Sequence, residues 1–123
     1  DGYRMEECLH EIKEIKGLCD EHGIELIVFI NPIHYVTYLD SGVDEFNLFK
    51  EQLAEITNYY DFSGKNEITT NNYNYYETSH YRPLVGDMII DRVFHGDRGK
   101  LGFGVYVTKE NIDEHISDLQ HEL

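Results

Sequence analysis

Glu77 and His80 stand three residues apart in the run Tyr75-Tyr76-Glu77-Thr78-Ser79-His80-Tyr81-Arg82-Pro83. In a tight turn, that spacing lets a carboxylate reach the near ring nitrogen of an imidazole. A carboxylate so placed fixes the tautomer and stabilises the imidazolium, and the far nitrogen stays free to take a proton from a hydroxyl nucleophile. The same two residues serve equally well as a solvated acid and a loop histidine bonded to backbone, because the E-x-x-H spacing arises often in unrelated chains. The expectation is a catalytic His80 with Glu77 as its orienting acid, set against a purely structural pair.

Other side chains could meet this pair. Asn31 and His34 follow an apolar run, and each is a candidate substrate contact. Their plainer roles are a strand cap for Asn31 and a solvated loop residue for His34. Tyr76 and Tyr81, with Tyr35, Tyr73 and Tyr75, offer an aromatic wall for a sugar or acyl group, or else cover the base of their own loop. Ser41, Ser63, Ser79 and Ser117 are the only serines, and none sits in a G-x-S-x-G or G-D-S-type elbow. Ser63 follows a predicted strand and is the best local nucleophile candidate; otherwise it is a turn serine. Zinc needs three convergent ligands, and neither H-x-x-x-H nor H-E-x-x-H spacing occurs, so no metal is expected. Gly102-Phe103-Gly104 lacks the helix and spacing of a dinucleotide loop, so no cofactor is expected. His115 and His121 are expected on the exposed side of the last helix, and Asp87 with Asp91 on a solvated face.

The elements that must position these residues are legible from periodicity. Met5, Cys8, Leu9, Ile12, Ile15 and Cys19 form one stripe of a helix from about Tyr3 to His22, stopped by Gly23. Glu25 to Ile30 reads as a strand buried on both faces, ended by Asn31-Pro32. Asn31 to Asp40 reads as a loop. A second helix follows from Val43 to Thr57, then a short strand from Asn58 to Phe62 and a turn at Ser63-Gly64-Lys65-Asn66. Glu67 to Tyr81 shows no period, and irregular segments of that length are often functional. Pro83 opens a third helix to about Phe94. Residues 96–102 read as a Gly-rich turn or linker, Phe103 to Val107 as a short strand, and Thr108 as the N-cap of a last helix bearing Ile112, Ile116 and Leu119. Open α/β sheets hold their sites at the carboxyl ends of strands. The loops after Ile30 and Phe62 both qualify, and the second is the longer.

Composition bounds the class. The 123 residues suffice for one domain, and 41% are hydrophobic, so a core can form. Ten tyrosines and six phenylalanines argue against disorder of the whole chain. A formal net charge of −14 argues against nucleic acid and against an anionic membrane surface. Cys8 and Cys19, in one helix, would lie about 16 Å apart along its axis. That is too far to pair with each other, and they are expected as buried thiols. Their lack of a disulfide framework is compatible with the cytosol and with export. The longest apolar run, Leu26 to Ile30, is too short to span a bilayer.

The Tyr75–Pro83 run, leading into an amphipathic helix, resembles the last motif block of SGNH/GDSL-type hydrolases. In that family D-x-x-H lies between the last core strand and the C-terminal helix. Phe29-Ile30-Asn31-Pro32 and Tyr60-Asp61-Phe62-Ser63-Gly64 are similar to a bacterial group of such proteins, often membrane-tethered and associated with cell-envelope or exopolysaccharide work. The resemblance covers residues 3–95 as a core, with 96–123 as a C-terminal extension of the single domain 1–123. It implies an α/β fold: a partial three-layer α/β/α, flavodoxin-like parallel sheet of two to three strands with flanking helices. It also implies His80 as general base, with Glu77 standing where the family has Asp. The nucleophilic Ser and oxyanion donors of the family have no counterpart here. The expected partners are therefore a small ester or acylated carbohydrate and a missing N-terminal portion of the same domain, with no nucleic acid and no membrane contact by the chain itself. The implied reaction is that of an esterase or acyltransferase, with the isolated chain inactive, and the implied location is the bacterial envelope or outside the cytoplasm. The alternative is a non-catalytic glycan- or protein-binding module. Either way, so small a sheet would expose an apolar edge and favour dimerisation or marginal stability.

Overall fold

The apolar stripes become helices that pack on a small mixed sheet. The computed structural model describes residues 2–96 and 102–123. In chain order the elements are α1 (Gly2–Glu21), β1 (Phe29–Ile30), α2 (Tyr35–Asp40), α3 (Val43–Ile56), β2 (Tyr59–Asp61), β3 (Tyr75–Glu77), β4 (His80–Tyr81), α4 (Pro83–His95), β5 (Val105–Val107) and α5 (Ile112–His121). A 3-10 turn at Asn72–Asn74 precedes β3.

The general α/β class holds. The sheet order is β1-β2-β5, with β1 parallel to β2 (Phe29 opposite Tyr60) and β5 antiparallel to it (Tyr60 opposite Tyr106). The expected parallel sheet is therefore corrected to a mixed one. An antiparallel edge strand is a common addition, because it needs no crossover back to the starting end. Consecutive residues of β2 point to opposite faces. Tyr59 joins a core of Leu9, Leu53, Ala54, Val107, Ile112, Ile116 and Leu119, while Tyr60 packs against a second core of Phe62, Ile68, Val85, Ile89 and Phe103.

Several expectations change. Glu25 to Ile30 is not buried on both faces: Ile27 and Phe29 are exposed, and Leu26, Val28 and Ile30 are half-buried. The cause is that β1 is an edge strand with one face uncovered. Cys8 is exposed and Cys19 half-buried rather than buried, because α1 packs through Leu9 and Ile12 on one flank only. Residues Asn31 to Asp40 are not all loop, since α2 forms once the His34 ring caps it. The segment from Glu67 to Tyr81 contains the antiparallel hairpin β3-β4. Of the turn expected over 96–102, residues 97–101 lie outside the described residues.

Candidate active site

The β3-β4 hairpin positions the carboxylate and imidazole. Its connection is the two residues Thr78 and Ser79, so Glu77 stands directly opposite His80. A two-residue connection is the shortest ordinary hairpin loop, and cross-strand neighbours have side chains on the same face. Glu77 Oε1 bonds His80 Nδ1 and also accepts from the Ser79 backbone N–H at 3.0 Å. The hydrogen bond from His80, more than any other influence, holds the Glu77 carboxyl below its ordinary value. The bond to a carboxylate requires a proton on Nδ1, so Nε2 is the basic nitrogen of the neutral ring. No group among the described residues bonds that nitrogen, and the two side chains are 76% and 58% exposed.

The hairpin is fastened to the carboxyl end of β1. Tyr81 donates its hydroxyl to Asn31 Oδ1 at 3.0 Å, and the buried Tyr75 donates to the Pro32 carbonyl at 2.6 Å. The His34 N–H donates to the Thr78 carbonyl at 3.2 Å. Burial pushes the Tyr75 phenol up to about 12, so it stays a neutral donor. The pair thus sits on a separate two-stranded hairpin that is tied to the residues following β1.

The residues named from sequence are brought together unevenly. Glu77 and His80 are joined, and Tyr81 and Asn31 are joined to each other beside them. His34 is buried, with both ring nitrogens engaged: Nδ1 accepts from Val36 N–H at 3.1 Å and Nε2 meets Asn72 Oδ1 at 2.6 Å. It caps α2 rather than facing solvent. Tyr76 is exposed, and the Arg82 guanidinium carbon lies 4.6 Å from its ring centroid. The pair itself occupies an open hairpin tip rather than a walled crevice, and four cavities of about 400 to 510 Å³ are lined by other residues.

Sequence reasoning missed a second polar cluster. Asp61, at the end of β2, accepts from Lys50 Nζ at 2.9 Å, His115 Nε2 at 2.8 Å and the Ser63 hydroxyl at 2.6 Å. Lys50 also donates to Ser63 Oγ at 2.7 Å. Burial by itself would raise the Asp61 carboxyl, but the Lys50 ammonium and the His115 and Ser63 bonds together hold it far below the carboxylate range. His115 is therefore buried, not on the exposed side of α5. Its position three residues after Ile112 and four before Leu119 was the available signal, because that spacing puts all three on one face. Ser63 is held too: its proton goes to Asp61 and its lone pair to Lys50, and it makes no bond to His80. No group of three or more potential metal ligands occurs among the described residues. No helix there is long and apolar enough to cross a membrane.

Fold and site together define an α/β chain with a solvent-facing carboxylate–imidazole pair at its strand ends. Comparison with family models, with curated proteins and with solved structures gives no match.

Proposed function

We propose that this chain supplies the general base and its orienting acid to a serine-type ester hydrolase or O-acyltransferase of the SGNH-like kind, acting on a small ester or an acylated carbohydrate. The observation that carries the reading is the Glu77–His80 bond with Nε2 left open. In this mechanism His80 Nε2 takes the proton of an attacking serine hydroxyl and returns it to the leaving alcohol. Glu77 holds the tautomer and offsets the imidazolium charge. The open tip fits a base that works against a second surface, since the serine and the oxyanion donors would come from outside these 123 residues. That surface would also exclude the water that now surrounds the pair. The finer fold reading, a partial flavodoxin-like three-layer domain at a bacterial cell envelope, belongs to the same proposal.

A non-catalytic binding module is the competing reading, favoured by the exposed Tyr73 and Tyr76 rings. Kinetics separate the two. The isolated chain is expected to show no saturable turnover of p-nitrophenyl acetate, and His80→Ala is expected to remove only the slow second-order reaction that an exposed imidazole gives with an activated ester. In a polypeptide that also carries the serine-bearing portion, His80→Ala is expected to lower kcat/KM roughly 10²–10⁴-fold, and Glu77→Gln by less. Saturable turnover by the isolated chain that vanishes with His80→Ala, with an acyl group trapped on a serine, would show that the nucleophile is present after all. An unchanged rate in the longer polypeptide would remove the general-base role.

A further inference from the structure

A cation is held between two solvent-facing rings next to the carboxylate–imidazole pair. Arg82 follows β4 directly, two residues after His80, on extended backbone with φ −76 and ψ 160. Two residues of extended chain place its Cα roughly 7 Å from that of His80. The guanidinium carbon lies 4.6 Å from the Tyr76 ring centroid and 5.8 Å from that of Tyr73. These rings are 63% and 73% exposed, so neither contributes to a core.

The scaffold beneath them is fixed. The Arg82 N–H donates to the Asn74 carbonyl at 2.8 Å, and the Asn74 side chain donates to Ile68 O at 3.0 Å. Asn71 Oδ1 accepts from the Tyr73 N–H at 3.0 Å. In a chain with 24 acidic and 10 basic side chains, Arg82 forms no ion pair among the described residues. A guanidinium stacked on a ring uses its face and keeps its edge N–H groups for a ligand.

We propose that Tyr73, Tyr76 and Arg82 form a subsite for the oxyanion of an acidic sugar, seated beside the ester on which His80 acts; this deepens the proposed function and rests on it. The guanidinium edge pairs with a carboxylate or phosphate through two N–H donors. The C–H faces of a pyranose pack on the two tyrosine rings. Neutral sugars keep the ring contacts but lose the charge-assisted bonds. The net charge of −14 works against any anion, so the attraction must come locally from the guanidinium edge.

The test is binding to the purified chain, followed by NMR shift titration with an oligogalacturonate, glucose 1-phosphate and maltohexaose. At least one anion is expected to bind, with maltohexaose at least tenfold weaker. Which anion binds identifies carboxylate or phosphate as the source. Arg82→Gln should weaken the anion at least tenfold, Arg82→Lys should fall between, and added salt should weaken it further. His80→Ala should leave affinity within about twofold. Equal binding of maltohexaose, no binding of either anion, or wild-type affinity in Arg82→Gln would overturn the subsite. So would a loss in His80→Ala equal to that in Arg82→Gln. The readout needs no nucleophile, so its failure leaves the acid–base reading standing, and failure of the hydrolysis experiment leaves the anion subsite standing.

Discussion

Glu77 and Asp61 are both carboxylates bonded to a histidine, and their surroundings give them opposite character. The exposed Glu77 is lowered chiefly by its bond from His80. An NMR titration is expected to find its midpoint below the ordinary glutamate value and to find it restored by His80→Ala; an ordinary midpoint in both proteins would mean the bond does not persist in water. Asp61 is fully buried, and its charge is matched by Lys50, also fully buried. Removing one member leaves the other uncompensated, so Asp61→Asn and Lys50→Met are each expected to cost about 3–5 kcal/mol. The double substitution should cost less than the sum of the two in denaturant unfolding. The folded Asp61 is depressed, so its contribution is fully present above its unfolded value of roughly 3.9 and is lost as pH falls toward the lower folded value. Wild-type stability should therefore drop steeply below about pH 4, and Asp61→Asn should flatten that slope. A slope shared by both proteins would assign acid unfolding to other groups.

At the scale of elements, short side-chain bonds to backbone decide where structure starts. Asn111, not the expected Thr108, is the N-cap of α5, and Thr108 and Asn111 bond each other's backbone N–H, at 3.2 and 2.8 Å, in the turn that leads into the helix. Thr108→Ala removes the acceptor of the Asn111 N–H and is expected to lower stability by about 0.5–1.5 kcal/mol, measured by chemical denaturation. Asn66 does similar work in the long loop, its Oδ1 accepting from the Ile68 and Thr69 N–H groups at 3.0 and 2.9 Å. Two glycines give opposite expectations. Gly17 lies within α1 with open space around a notional Cβ, so Gly17→Ala should stabilise by about 0.5–1 kcal/mol. Gly104 has φ +86, and a Cβ there would run into the buried Phe62 ring, so Gly104→Ala should destabilise by roughly 1–3 kcal/mol. Thermal melts of the pair give the comparison directly, and a higher Tm for Gly104→Ala would contradict the packing described.

At the scale of the molecule, charge and apolar exposure oppose each other. A net charge of −14 keeps copies apart, while β1 is an open edge, with its Phe29 43% exposed and Ile27, just before it, 37% exposed. On α4, Ile90 and Phe94 are 51% and 66% exposed, and they line a cavity of about 400 Å³ together with Ile27 and Phe29. Screening should let this surface associate. Sedimentation is expected to show mass rising with protein concentration at high salt, and Phe29→Lys is expected to suppress the rise. A monomer at every salt concentration would mean that the exposed edge is inert.

The sequence by itself determined the order of the main elements, because the stripes of α3, α4 and α5, the stop at Gly23 and the helix start at Pro83 are local properties of the chain. It also set Glu77 and His80 within reach of each other, since only two residues separate them. Only the tertiary structure decided which face of Glu25 to Ile30 meets water, because burial depends on neighbours that a local pattern does not name. The same holds for the joining of Lys50, Asp61, Ser63 and His115, which come from separate elements and meet only when α3 and α5 pack beside β2. The hairpin that aligns the candidate pair likewise depends on long-range bonds, from Tyr75 to Pro32 and from Tyr81 to Asn31. Spacing along the chain specifies which groups can meet; folding specifies the water, charge and hydrogen-bond partners that give each group its chemistry.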